Sequence, residues 1–136
     1  MSLKKNPVMT DLEKLVERIT ACATTVHENM GPGFPEKHYQ EEMIKELTKA
    51  KVVYTTKEAK TRMIDGAQIG ASRMEFFVEN IMIELKALPR LEVPHMVHFS
   101  NGLKKSEKDM GMLINFGTQK MQIRTRMNEK IEIDES

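Results

Sequence analysis

The residues best suited to chemistry are Glu84 and Lys86, set in the run Asn80-Ile81-Met82-Ile83-Glu84-Leu85-Lys86-Ala87. β-Branched and apolar residues after a turn-like Glu79-Asn80 read as a short strand. Strand side chains alternate, so Ile81, Ile83 and Leu85 can enter a core while Glu84 and Lys86 share the other face. A carboxylate and an ammonium side by side on a rigid element suit metal-assisted hydrolysis of a phosphodiester. The carboxylate holds Mg²⁺ or Mn²⁺, and the lysine orients or activates the attacking water and stabilises developing charge. Most E-x-K triplets are solvated surface ion pairs, so this one takes its meaning from the elements that position it.

Those elements begin with Asp11 to Met30. Leu12, Leu15, Val16, Ile19, Cys22, Ala23 and Val26 recur at helical spacing, with Thr10 or Asp11 as the cap. Cys22 lies on this stripe, which makes it a buried structural thiol rather than a nucleophile. Gly31-Pro32-Gly33 breaks the helix, and Pro35 suits the first turn of a second one running to about Lys51. The period then becomes strand-like over Val52 to Ala59, Arg62 to Ile64 and Ala67 to Val78, with Asp65-Gly66 as a hairpin turn. Pro89 ends the E-x-K strand. Val93 to about Lys105 reads as a helix, Gly111 to Phe116 as a buried strand and Lys120 to Met127 as a last alternating strand. A helix between the E-x-K strand and Gly111–Phe116 allows a crossover and a partly parallel, mixed sheet. The expected architecture is α/β (α+β), with two N-terminal helices, hairpin strands, a crossover helix and two further strands.

At 136 residues the chain is expected to be one domain, with a core over 11–127 and tails at 1–8 and 131–136. Its 21 basic and 20 acidic side chains leave a charge of +1, so no global field points to nucleic acid. Local patches could still do so: Lys57, Lys60 and Arg62; Lys104, Lys105 and Lys108; and Lys120, Arg124, Arg126 and Lys130. Each taken singly reads as a solvated face. The single cysteine excludes an internal disulfide and a cysteine-based zinc site. No apolar run spans a membrane and no signal-peptide pattern opens the chain, so a cytoplasmic protein is the default expectation.

Several motifs, in order, resemble one family. Gly33-Phe34-Pro35-Glu36-Lys37-His38-Tyr39 fits the G-x-x-E-x-x-Y signature of the small GxxExxY proteins of the PD-(D/E)xK nuclease superfamily. Val26-His27-Glu28-Asn29-Met30-Gly31-Pro32-Gly33, Ile83-Glu84-Leu85-Lys86-Ala87 and Gly111-Met112-Leu113-Ile114-Asn115-Phe116-Gly117 resemble further blocks of that family. The resemblance runs from about Leu15 to Met127 and implies a restriction-endonuclease-like core. It also implies an acidic residue on the strand before E-x-K, where the family usually has Asp after R-x. Here Arg73-Met74-Glu75 stands there, one methylene longer. The family's H-x-x-Q on the following helix is His95-Met96-Val97-His98 here, and a tyrosine one turn later is Gly102.

On this resemblance, Glu84, Lys86, Glu75 and Glu36 are the candidate catalytic residues. Glu75, Glu84 and Glu36 are the candidate ligands of Mg²⁺ or Mn²⁺. Tyr39, His98 and Arg73 are candidates for substrate binding or support. Glu36 in a first helical turn is also a good helix-dipole residue, and Tyr39 serves equally as core. His95 and His98 at i, i+3 make a weak zinc pair. His27 and His38 are expected to support the Gly31-Pro32-Gly33 loop. The implied function is a metal-dependent nuclease acting on DNA, or less readily RNA. The alternative is a degenerate member that binds nucleic acid or a protein partner without cleaving, favoured by the changes at Glu75, His98 and Gly102. A third reading puts function in an oligomer interface, such as a homodimer, built around Phe77 and the hairpin strands.

Overall fold

A computed structural model describes residues 10–59, 62–64, 67–69 and 73–129. Helix α1 (Asp11–Met30) starts at a reciprocal cap. The Thr10 hydroxyl accepts the Glu13 N–H at 3.1 Å and the Glu13 carboxylate accepts the Thr10 N–H at 3.0 Å. It ends where Gly31 takes a φ of 70° and donates its N–H to His27 O at 2.7 Å. Helix α2 (Glu36–Lys49) follows, with Pro35 at the cap position, one residue ahead of the slot its sequence suggests. Ile19, Cys22, Ala23 and Val26 of α1 and Tyr39, Met43 and Leu47 of α2 supply the buried stripes. Cys22 is 5% exposed, and burial, with Glu46 beside it, pushes its thiol pKa up. It stays a packed thiol, as its place on the stripe implies.

The chain then enters β1 (Thr55–Ala59), later than the expected start at Val52. Lys51 turns the chain at a φ of 58°, and Val52 tucks against the end of α2, its N–H bonded to Leu47 O. Strands β2 (Arg62–Ile64) and β3 (Ala67–Ile69) pair antiparallel as a separate two-stranded sheet; the Asp65-Gly66 turn between them lies outside the described residues. The expected continuous strand from Ala67 to Val78 is therefore divided between two sheets. Strand β4 (Arg73–Val78) belongs to the main one, as do β5 (Ile81–Lys86), β6 (Met110–Asn115) and β7 (Gln122–Met127). The main sheet has the order β1-β4-β5-β6-β7. Its β5–β6 pair is parallel and the others antiparallel, and helix α3 (Val93–Ser106) makes the crossover between the parallel strands. The mixed α+β architecture is the one the sequence implied.

The sheet is covered on both faces. Phe76, Val78, Ile81, Ile83, Leu85, Met112 and Ile114 face α1 and α2 and form the larger core with Phe116. Met82 and Leu113, of opposite parity, meet Phe99 and Leu103 of α3 in a second, smaller cluster. Gly111 lets α3 sit this close: a Cβ there would lie 2.7 Å from the Phe99 ring. Among the described residues no helix is long and apolar enough to cross a membrane.

Candidate active site

Because side chains directly opposite across a sheet point the same way, the strand register alone assembles a row. Lys57, Glu75, Glu84, Leu113 and Arg124 are successive partners across β1, β4, β5, β6 and β7. Leu113 packs under α3, so this row lies on the α3 face. Lys86, two residues beyond Glu84, shares that face.

Glu84 is 3% exposed, and its Oε2 has no hydrogen-bond partner among the described residues. The Lys86 ammonium stands 3.4 Å from that oxygen, within ion-pair range but without hydrogen-bond geometry. A buried carboxylate with an unmade bond is costly. Opposite Glu84 stands Glu75, where two like charges on neighbouring strands repel. A cation between the carboxylates would relieve both strains. Hard oxygen donors suit a divalent cation, and Mg²⁺ in particular binds through one or two carboxylates plus water and substrate phosphate. Among the described residues no cluster of three or more His, Cys, Asp or Glu side chains is placed to hold a metal.

Helix α3 leaves room over Glu75. A Cβ on Gly102 would lie 3.7 Å from Glu75 Oε2, so the helix passes with no side chain between. Glu75, Gly102, His98, Asn101, Lys105, Ser106, Lys57 and Phe77 line an open cleft of about 330 Å³. His98 thus meets Glu75 in one cleft. His95 does not join it as a ligand: its Nδ1 accepts the Glu92 N–H at 2.9 Å and caps α3. The spacing of the two histidines is that of a helix cap and a cleft wall, not of a zinc clamp.

The exit of β5 is held by a buried amide. Asn115 is fully buried; its Oδ1 accepts the Leu88 and Gly117 N–H groups at 2.8 and 3.1 Å. Its Nδ2 donates to Leu88 O and to Gln122 Oε1, both at 3.0 Å. Gln122 Oε1 also accepts the Leu91 N–H. Gly117 lies so close that a Cβ would stand 2.2 Å from Leu88 O. This clamp fixes the chain two residues past Lys86. The Asn-Phe-Gly block was legible in the sequence, but not what Asn115 binds. Lys57 was visible only as one member of a basic patch.

The other candidates lie elsewhere. Glu36 opens α2, over the opposite face of the sheet from Glu84, and its Oε2 accepts a hydrogen bond from Gln40 Nε2 at 3.1 Å. Tyr39 is fully buried, stacked on Phe116 with 4.8 Å between ring centroids. Its hydroxyl donates to Gly31 O at 2.5 Å and accepts the Phe34 N–H, so it supports the loop between α1 and α2. His27 reaches past that loop to Thr118 O at 2.8 Å. The Arg73 backbone pairs with Ala59 in β4, and its side chain lies outside the described residues. Phe77, suggested as an interface residue, packs against the Met82–Phe99 cluster with the Lys108 ammonium 5.6 Å above its ring.

A family model described as the PD-(D/E)XK nuclease superfamily matches residues 13–127. No curated protein and no solved structure matches the chain.

Proposed function

Because the chain belongs to the PD-(D/E)XK nuclease superfamily, we propose that it is a Mg²⁺- or Mn²⁺-dependent nuclease hydrolysing phosphodiester bonds in DNA. The observation that carries this reading is the buried Glu84 Oε2 without a hydrogen bond, opposite Glu75 and 3.4 Å from Lys86. Within the superfamily, the spacing of Gly33, Glu36 and Tyr39 supports a place among the GxxExxY proteins. A cytoplasmic location fits the one free, buried thiol.

Glu75 and Glu84 would hold the cation. When bound, it would supply Lewis-acid stabilisation of charge on the scissile phosphate. Lys86, its side chain 15% exposed, keeps its ammonium beside Glu84. From there it donates to the attacking water and offsets the negative charge that grows on the phosphate. His98, on the cleft wall, orients the phosphate or a water. Tyr39 acts from beneath, by fixing the loop before α2. The non-cleaving alternative rests on Glu75, His98 and Gly102. The last of these sits beside the first: a Cβ on Gly102 would stand 3.7 Å from Glu75 Oε2, at ordinary contact distance.

The test is a cleavage assay with Mg²⁺ and with Mn²⁺ on linear, nicked and single-stranded DNA, wild type beside identically purified Lys86→Ala. The expected result is metal-dependent cleavage that falls by about 10²- to 10³-fold in the variant. Equal activity in both proteins would trace it to a contaminant. Absence of cleavage in both, with no heat of metal binding, would leave the binding-only reading.

A further inference from the structure

We infer that the cleft between β1, β4 and α3 is a phosphate-binding arm of the substrate path. In it Lys57 and Lys105 hold backbone phosphates adjacent to the one over Glu84 and Lys86. The identity of the polyanion as nucleic acid rests on the nuclease reading; the cleft itself does not.

The two lysines come from different basic patches, 48 positions apart in the sequence, and the fold brings them to one cleft. Lys57 is the cross-strand partner of Glu75 on β1, on the side away from Glu84. Lys105 lies on α3 one turn beyond Gly102 and Asn101, and two turns beyond His98, so these residues share one helix face. Both lysines are exposed. Among the described residues neither makes an ion pair or hydrogen bond, whereas Lys45, Lys49 and Lys86 each stand 2.8 to 3.4 Å from a carboxylate. Lys57 makes no ion pair even with Glu75, its neighbour in the row.

An acid and a base that share a cleft wall without pairing are placed for different ligands. Glu75 faces Glu84, where a cation relieves the repulsion, and Lys57 is left for an anion. Asn101 adds an amide donor on the same wall. The row then reads, from edge to centre, as phosphate site, cation site and cleavage site, with a phosphodiester strand running over the α3 side of β1 and β4.

The test is binding of a fluorescein-labelled oligonucleotide, single-stranded and duplex, to the full chain in EDTA, so that cleavage does not intrude. Anisotropy titrations over a range of salt give the slope of log K against log[salt]. Lys57→Ala/Lys105→Ala should reduce the magnitude of that slope by about 1.4 for the single strand or about 1.8 for the duplex, two phosphate contacts' worth. Lys57→Arg/Lys105→Arg should restore it. Lys14→Ala/Lys49→Ala, which removes the same charge from α1 and α2, should leave it unchanged. An unchanged slope in the first variant, an equal fall in the α1/α2 variant, or no binding by wild type would overturn the inference. Cleavage with an unchanged slope would remove this arm and leave the nuclease reading standing. The expected slope change in a protein that never cleaves would support the arm and remove the nuclease.

Discussion

The two faces of the main sheet are built to opposite rules. On the α1/α2 face, Phe76, Ile83, Leu85, Tyr39 and Phe116 are all buried. The polar groups nearby have partners: the Tyr39 hydroxyl bonds to Gly31 O and His27 to Thr118 O. On the α3 face, a small apolar cluster of Met82, Phe99, Leu103 and Leu113 sits beside a pair of opposed glutamates, one with a carboxylate oxygen that has no hydrogen bond among the described residues. Successive residues of β5 alternate between these worlds, so stability and chemistry are separated by the thickness of one strand. A one-residue slip in the register of β5 would exchange the two. The difference teaches that the strain of the acidic face is sustained by the apolar one, as a functional site held by its surroundings requires.

The largest effect should come from breaking the apolar side. Phe76→Ala removes a fully buried ring and should cost about 3–5 kcal/mol, read by urea unfolding. A loss below about 1 kcal/mol would mean that the α1/α2 face does not carry the stability. A smaller but more pointed effect is expected at the joint between the faces. Asn115→Ala leaves the Leu88 N–H and C=O without their partner. At roughly 1–3 kcal/mol per orphaned buried group, partly recovered by water, the loss should be about 2–4 kcal/mol. Hydrogen exchange should speed up at Leu88 and Gly117 before it does in β6. If exchange rises evenly over the whole sheet, Asn115 is ordinary core and not a clamp on the exit of β5.

The sequence made the sheet's inner faces readable because period-2 alternation survives burial: Ile81, Ile83 and Leu85 fall where the pattern puts them. The cap at Thr10 and the break at Gly31-Pro32-Gly33 were legible for the same local reasons. Glu84 and Lys86 were found because two neighbours on one strand are adjacent in sequence as well as in space. What escaped was set by pairing between distant strands. Lys57 meets Glu75 only through the β1–β4 register, and the split of the Ala67–Val78 stretch between two sheets has no local signature. Asn115 reads as a polar residue at a strand end until Leu88 is brought beside it. Glu36 shows the converse: its motif spacing is plain, yet spacing could not say that α2 lies over the other face.

The smallest predicted effect sharpens the comparison most. If Glu75 and Glu84 repel without a cation, Glu75→Gln should make the metal-free protein more stable. The gain should be about 0.2–1 kcal/mol, the scale of a directly opposed cross-strand pair. So small a gain could come from any half-buried substitution, and its sign alone would decide little. The decisive step is to add Mg²⁺ or Mn²⁺. A ligand that binds only the folded state stabilises in proportion to its affinity, so wild type should gain and Glu75→Gln should gain much less. The order of stabilities then reverses. An order that stays fixed across the titration would show that the two carboxylates do not share a cation, and that the acidic face carries strain for some other purpose. Reversal would mean that the carboxylates opposed across β4 and β5 form the cation's binding site. The cost of that face and its chemistry would then be one interaction with two signs.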